Sequence, residues 1–347
     1  MAQDIEKLHR DKLALWSLVL ILLTIGLFVS MVFAICIGAV NIPASKVLSI
    51  ITGLYNGPHD SDYVIVTSVR LPRVLLAAVV GAGLSVAGVA MQGVFRNPMA
   101  SPSVLGISSG AAFGASLAIV LGFSFVGGAW AIPAMAFIFC VATMFLVYGI
   151  SRTGGIVPVE TLLLAGIAVG ALFSALVSFM QFIAGEQLSS VVFWLMGGLS
   201  SATWDQLVVV TPLIAIGTLA IMWFGRDLNL MTIGEEHASS LGVDTQKVIL
   251  YLTVATSVVV AAAVSVSGVI GFVGLIIPHI IRMMVGPDHR ILIPASIVAG
   301  AAFLVLTDTF ARTILAPAEL PVGIVTAVLG APFFLYLLRR RKHMMGW

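Results

Sequence analysis

Apolar runs that recur along the whole chain constrain its fold more than any other feature of the sequence. A bilayer core about 30 Å thick takes about 20 apolar residues in helical form, and this criterion selects ten segments. They are residues 13–40, 74–95, 104–125, 130–150, 162–184, 207–224, 248–266, 269–285, 291–310 and 322–338. The composition agrees, because 60% of the 347 residues are hydrophobic, 9% are charged and the mean hydropathy is +1.14. The sequence therefore predicts an all-α integral membrane protein with about ten transmembrane helices.

The basic residues at the two ends of the chain favour an even number of spans. Lysines and arginines lie in residues 1–12, before the first span, and in 339–347, after the last. Basic residues beside a span prefer the cytoplasmic side, and an even count places both clusters there. We therefore expect a multi-pass protein of the inner (cytoplasmic) membrane, with cytoplasmic tails at 1–12 and 339–347 and one transmembrane domain over 1–347.

Several classes of function do not fit the sequence. A net charge of +2 is too small to indicate nucleic-acid binding, and the sequence has no P-loop pattern, paired carboxylates or His-Glu-x-x-His motif. Catalysis by this chain is therefore not expected. An ion-gradient-driven secondary transporter usually needs ionisable groups near the bilayer midplane. The middles of these spans contain almost no ionisable residues, so the sequence gives little support to a secondary transporter, which is kept as an alternative.

Glycine, proline, histidine and arginine interrupt the apolar pattern in four stretches that together resemble one family of transport proteins. The stretches are Arg70–Arg73 (RLPR), Gln92–Pro102 (QGVFRNPMASP) followed by Leu105 and Gly106, Gly271–Arg290, and Asp308–Pro332. Breaks of this kind survive in a membrane only where protein or a water-filled cavity covers the backbone. The order and spacing of the stretches resemble the FecCD family, the permease subunits of ATP-driven importers for iron siderophores, haem and cobalamin.

The resemblance implies a cobalamin-importer-like homodimer with several partners. Two copies of a separate ABC ATPase would bind ATP and Mg inside, so this chain would bind no cofactor and no metal of its own. A periplasmic or lipid-anchored binding protein would deliver the cargo outside, and membrane lipid would surround the dimer. Cargo would cross by alternating access. An oxyanion such as molybdate is an alternative cargo, because importers of that type exist within the family.

Three arginines on the external side are the docking residues that the resemblance implies. Arg70 and Arg73 flank a proline ahead of the second span, and Arg312 follows the ninth. Guanidinium groups suit the carboxylates of a binding protein. The alternatives are contact with lipid headgroups or pairing with nearby carboxylates. Asp308, four residues before Arg312, is a possible partner across one helical turn.

The cytoplasmic connection 226–247 is the predicted coupling region. Glu235 begins a predicted short helix that reaches Leu241, because Gly234 precedes it and Gly242 follows it. The family resemblance implies that this connection seats in the ATPase. The residues assigned to coupling are Glu235, Glu236, Ala238, Leu241 and Gly242, with Ala238 and Leu241 on one small apolar face. The alternative is a solvated loop.

Small polar residues of the fifth span are candidates for the substrate path. Ser174, Ser178 and Gln181 lie four and three residues apart, so they share one helical face. The family forms its path largely from this span and the last, which adds Thr326. The alternative is that the same residues serve helix packing. Glu160 departs from the small hydroxyl residues expected at the cytoplasmic gate.

Overall fold

The computed structural model of the protein describes residues 2–345 apart from 39, 56, 58, 59 and 124–127. For residues 2–9, 338 and 340–345 it describes the backbone alone. The α-helices of the described chain, in order, are α1 Ala2–Cys36, α2 Ala44–Ile51, α3 Ser61–Val64, α4 Leu71–Val94, α5 Ile107–Val120, α6 Ala131–Ser151, α7 Val159–Ile183, α8 Leu188–Leu195, α9 Trp204–Trp223, α10 Gly225–Met231, α11 Glu235–Ser240, α12 Thr245–Ser267, α13 Val273–Val285, α14 His289–Thr313 and α15 Val322–Met345.

The ten predicted spans are confirmed as ten apolar helices among the described residues. Seven are long enough to cross a bilayer, and the apolar parts of α5, α13 and α15 are shorter. A π-helical stretch, Ile65–Arg70, joins α3 to α4, so that this helix runs from Ser61 to Val94. The short α8 has eight residues, too few to cross a bilayer.

Two span boundaries differ from the prediction. The span predicted over 104–125 is a helix of 14 residues, and that predicted over 269–285 has 13. At 1.5 Å per residue they are about 20 Å long, less than a bilayer core. Gly106 and Phe272 take left-handed backbone conformations, with φ of 71° and 67°, and these start the helices late.

The centre of the bundle is formed by α4, α12 and α14. In their most apolar windows 83%, 78% and 61% of the residues are buried, against 22% for α1 and α9. Close approach of backbones explains this packing. A Cβ on Gly88 would lie 1.8 Å from the carbonyl oxygen of Gly274, and one on Gly81 would lie 2.3 Å from that of Gly300. Glycines thus let α4 touch α13 and α14 directly.

The bundle has two ends, and each gathers one group of candidate residues. The α2 end contains α2, the end of α1, the start of α9 and the loop between α14 and α15. The α11 end contains α10, α11, the start of α7 and the start of α14. Trp204 Nε1 donates to the carbonyl of Thr67 at the α2 end, and Gln246 Oε1 accepts from Val157 at the α11 end. Residues 2–12, expected as a tail, extend α1, and α15 continues to Met345.

Candidate functional site

Arg73, in the first turn of α4, is held by carboxylates within the chain. Its Nε lies 2.9 Å from Asp308 Oδ2, and its Nη2 lies 3.0 Å from Asp308 Oδ1. Its Nη1 lies 2.8 Å from Glu319 Oε2, in the loop after α14. The side chains of Arg73 and Asp308 are 8% and 2% exposed, whereas that of Glu319 is 43% exposed. The Arg73–Asp308 pair is therefore internal, and Glu319 connects it to solvent.

Arg70 and Arg312 bind the carboxyl-terminal end of α1. Their guanidinium nitrogens donate to the backbone carbonyls of Ala34, Ile35, Cys36 and Val40. The last carbonyls of a helix lack partners within the helix and carry partial negative charge. The two arginines therefore act as caps that join α1 to α4 and α14. Their overall exposures are 4% and 6%.

These contacts correct one interpretation and leave another as a prediction. The alternative pairing of Asp308 with Arg312 is wrong, because Asp308 faces Arg73. The expectation that a binding protein docks on the three arginines stays a prediction. In the free chain all three arginines bond to internal groups, so docking carboxylates would add to these contacts or exchange with Glu319.

At the α11 end, residues 225–247 contain the predicted coupling region and are called the coupling arm below. They comprise α10, α11 and the first turn of α12. The short helix predicted from Glu235 is confirmed and ends at Ser240, one residue before the predicted end. Gly242 follows it with φ +88°, a conformation that suits glycine. The predicted shared apolar face is corrected. Ala238 is fully buried within the chain, whereas Leu241 is 62% exposed, so only Leu241 is presented outward.

Arg96 and Asn229 connect the coupling arm to the membrane helices. Arg96 Nη2, at the corner after α4, lies 3.1 Å from Glu235 Oε1, with both side chains partly exposed. Asn229 of α10 receives the backbone N–H of His289 at 2.8 Å, and its Nδ2 donates to Asp288 Oδ1 at 2.7 Å. Burial raises the pKa of Asp288, but the hydrogen bonds from Arg290 and Asn229 outweigh it and hold the pKa below its ordinary value.

Gln246 makes a third connection, from the first turn of α12 to the segment that starts α7. Its Oε1 accepts from the backbone N–H of Val157 at 2.8 Å. Asp244, the N-cap of α12, accepts from the backbone of Lys247. A side-chain hydrogen bond from Lys247 also holds the pKa of Asp244 below its ordinary value. The start of α12 is thus a well-ordered helix end beside α7.

The path candidates fall into two groups. Ser174 and Ser178 of α7 are exposed, and each donates to the carbonyl four residues earlier, at 2.8 and 3.1 Å. Gln181 is half-buried on the same side of α7. Thr326, by contrast, is fully buried and donates to the Gly323 carbonyl. The α7 residues can therefore face a path as the chain stands, whereas Thr326 serves packing within the chain.

A cavity at the α2 end was not predicted from the sequence. It has a volume of about 680 Å³ and lies between the ends of α5 and α12, the start of α9 and α8. Hydroxyl and aromatic side chains line it, among them Trp130, Ser190, Trp194, Ser201 and Ser265. The concentration of serines in residues 189–201 could have indicated a polar surface in this part of the chain. Their convergence with Ser265 depends on tertiary packing that hydropathy does not reveal.

The comparisons with known proteins agree with this architecture. Residues 23–340 match the profile of the FecCD transport family. The chain belongs to the FecCD transport family. It is 46% identical to the cobalamin import system permease of Halobacterium salinarum over 82% of this chain and 76% of that protein. It is 42% identical to the hemin transport system permease of Yersinia pestis over 93% of this chain and 98% of that one.

Other relatives and a solved structure extend the comparison. Relatives that are 36–37% identical are named as permeases for molybdate, ferric citrate and iron hydroxamate. A solved ABC transporter in an inward-facing conformation matches with a TM-score of 0.82 and 36% identity, over 92% of this chain and 98% of that one. The resemblance inferred from the four stretches is therefore confirmed. The chain is a multi-pass permease subunit of an ABC importer, a noncatalytic subunit that works with an ATPase and a binding protein.

Proposed function

We propose that this FecCD permease imports a chelated metal, as a cobalamin, haem or iron-siderophore complex. The observation that carries the proposal is the similarity, over most of the chain, to permeases named for cobalamin and hemin. The charges of the spans support it. Asp308 is neutralised by Arg73 near a helix end, so it is not a free midplane carboxylate of the kind that ion-driven carriers use. A molybdate-type oxyanion is the second candidate cargo, because one relative is named for molybdate.

We assign the path to the interface of a homodimer, along the exposed side of α7. Its apolar residues Leu164, Ile167, Leu172 and Phe179 are 65%, 56%, 55% and 54% exposed, and hydroxyls of Ser174 and Ser178 interrupt them. A second subunit or lipid must cover a face of this kind. Small hydroxyls and apolar side chains without fixed charge suit a large neutralised complex that must leave again.

We place the α11 end in the cytoplasm, together with both termini. The basic residues at the α2 end support this orientation, because bonds within the chain already engage them. Lys46 lies 2.7 Å from Asp60 and 2.6 Å from Asp62, and the three arginines bind Asp308, Glu319 or helix carbonyls. The arginines at positions 96, 152, 226 and 290 lie at the α11 end, as the positive-inside tendency prefers for the cytoplasmic side.

The two ends would then meet different partners. At the α2 end, a carboxylate of the binding protein would meet Arg73 at the side where Glu319 is exposed, while the buried Arg70 and Arg312 add positive potential beneath it. At the α11 end, Glu235, Glu236, Leu241 and Gly242 are exposed or half-exposed and would contact the ATPase, which binds ATP and Mg. ATP-driven movement of α11 would open and close the path by alternating access.

Uptake into proteoliposomes tests the proposal. Vesicles that contain the chain with its ATPase would be given binding protein outside and ATP inside, with ferric siderophore, haem, cobalamin and molybdate offered in parallel. Accumulation of one chelate only when ATP is present is the expected result. Accumulation of molybdate alone would select the second cargo. Uptake that ignores ATP and follows an ion gradient would contradict the proposal.

A further inference from the structure

Helix α7, to which the path is assigned, makes little direct contact with the coupling arm. It packs against α5 and α6, and a cleft of about 460 Å³ separates its first turn from α11. Pro158, Val159 and Glu160 form one wall of this cleft, and Gly234 and Glu235 belong to the other. Movement of α11 therefore cannot press on the start of α7 across a packed interface.

Gln246 crosses between the two walls. It lines the same cleft, and its Oε1 accepts the Val157 N–H at 2.8 Å. Among the described residues, the other side-chain bonds that leave the coupling arm go elsewhere: Arg96 joins it to α4, and Asn229 joins it to α14. The Gln246 bond thus connects the arm to the helix of the proposed path.

Both sides of this bond are stiff enough to transmit displacement. On the arm side, a tight turn fixes α11 to α12, with Val243 N donating to Ala238 O at 3.1 Å and Gly242 N donating to Ser239 O at 2.9 Å. This pair of backbone hydrogen bonds is the pattern that commonly closes the carboxyl-terminal end of a helix. Gln246 lies three residues after Val243, in the first turn of α12, so continuous hydrogen-bonded backbone connects it to α11.

On the α7 side, Val157 is held between a tight turn and the first turn of the helix. Thr153 and Ile156 exchange backbone hydrogen bonds of 2.9 and 3.2 Å around two glycines of positive φ. Leu162 N donates to Pro158 O at 3.0 Å, and Pro158 is the N-cap of α7, so the helix begins two residues after Val157. Val157 itself is 1% exposed. A pull on the Val157 N–H would therefore displace the first turn of α7 rather than a loose loop.

We infer that Gln246 is a positioning residue that carries movement of α11 to the start of α7. The inference rests on the proposed function, since it presumes an ATPase that moves α11 and a path along α7. The inference adds to that function a specific contact, the Gln246–Val157 hydrogen bond, that joins α11 to α7. Loss of the Gln246 acceptor would leave ATP hydrolysis running while the path responds to it less completely.

The test compares three variants in proteoliposomes with the ATPase and binding protein. Gln246→Leu removes the acceptor at similar size, and Gln246→Glu keeps an acceptor oxygen at a helix start that favours a carboxylate. Gln187→Leu is the matched control, because Gln187 is exposed and lies at the α2 end, away from the coupling arm. ATP hydrolysis and cargo uptake are measured together. Hydrogen exchange over residues 153–162 reports on the bond itself.

We expect Gln246→Leu to lower cargo transported per ATP about fivefold, the ratio that corresponds to one hydrogen bond of about 1 kcal/mol. Gln246→Glu and Gln187→Leu should stay within about twofold of wild type, and exchange over 153–162 should quicken in Gln246→Leu alone. An unchanged ratio despite quickened exchange would overturn the inference. So would a proportional fall of hydrolysis and uptake, which would show a role in assembly. Wild-type vesicles without ATP-dependent uptake would instead refute the proposed function.

Discussion

Asp308→Asn should destabilise the protein by about 3 kcal/mol, because it leaves Arg73 buried without its main counter-charge. Three hydrogen bonds of 2.9, 3.0 and 3.2 Å join the two side chains, which are 8% and 2% exposed. Hydrogen bonds to charged groups contribute about 1.5–3 kcal/mol each, and breaking a buried pair costs about 3–5 kcal/mol. The asparagine keeps one acceptor oxygen, which places the effect at the lower end of that range.

The assay is reversible unfolding in mixed micelles, followed by the fluorescence of the six tryptophans. Glu319→Gln is the matched control, since it also removes a carboxylate from Arg73 but at a side chain that is 43% exposed. Exposed pairs contribute about 0–1 kcal/mol. The double variant Arg73→Met with Asp308→Leu should recover most of the loss, because apolar side chains can replace a buried pair at little cost. Equal effects of Asp308→Asn and Glu319→Gln would refute the reasoning.

Three further predictions concern packing, the path and pH. Gly88→Ala should abolish the folded fraction in size-exclusion chromatography, because its Cβ would lie 1.8 Å from a carbonyl oxygen of α13, whereas Gly149→Ala, with open space around it, should not. Ser178→Trp should stop uptake while ATP hydrolysis continues, and Leu219→Trp, on the exposed side of α9, should leave both unchanged. A hydrogen bond from Lys46 of α2 holds the pKa of Asp60 below its ordinary value. The stability that this ion pair contributes is therefore present above pH about 4 and lost as the pH falls further. Hydrogen-exchange protection of α2, corrected for intrinsic rates, should be constant from pH 8 to 5. Protection that declines between pH 7 and 5 would contradict this.

Hydropathy predicted the number of spans well but not the lengths of α5 and α13. A window of apolar residues registers composition, and the segments around these helices are as apolar as the helices themselves. What sets the first residues of these helices is the left-handed backbone conformation of Gly106 and Phe272. Glycine at 106 was a readable signal, whereas a left-handed phenylalanine at 272 depends on packing around the α12–α13 break. The sequence therefore predicted that the helix is interrupted between α12 and α13, but not how many residues the interruption takes.

The candidate residues show a similar limit. The sequence identified Arg73 and Asp308 as unusual charges near span ends, but 235 residues separate them, and nothing local indicates that they pair. The expected partner of Asp308 was the near neighbour Arg312 instead. Short-range features were more reliable. The helix at Glu235 followed from its flanking glycines, which lie next to it in the sequence.

The side-chain bonds at the two ends of the bundle differ in strength, and this difference indicates where movement can start. At the α2 end, charge-assisted bonds between Arg73 and Asp308 are buried, so that breaking them exposes a charge without a partner. At the α11 end, the Arg96–Glu235 pair has side chains that are 39% and 31% exposed, so that water can replace either partner at little cost. The neutral bond of Gln246 is also cheaper to break than a buried ion pair. A force on the bundle would therefore rearrange the α11 end before the α2 end, which agrees with the proposal that the ATPase acts at the α11 end.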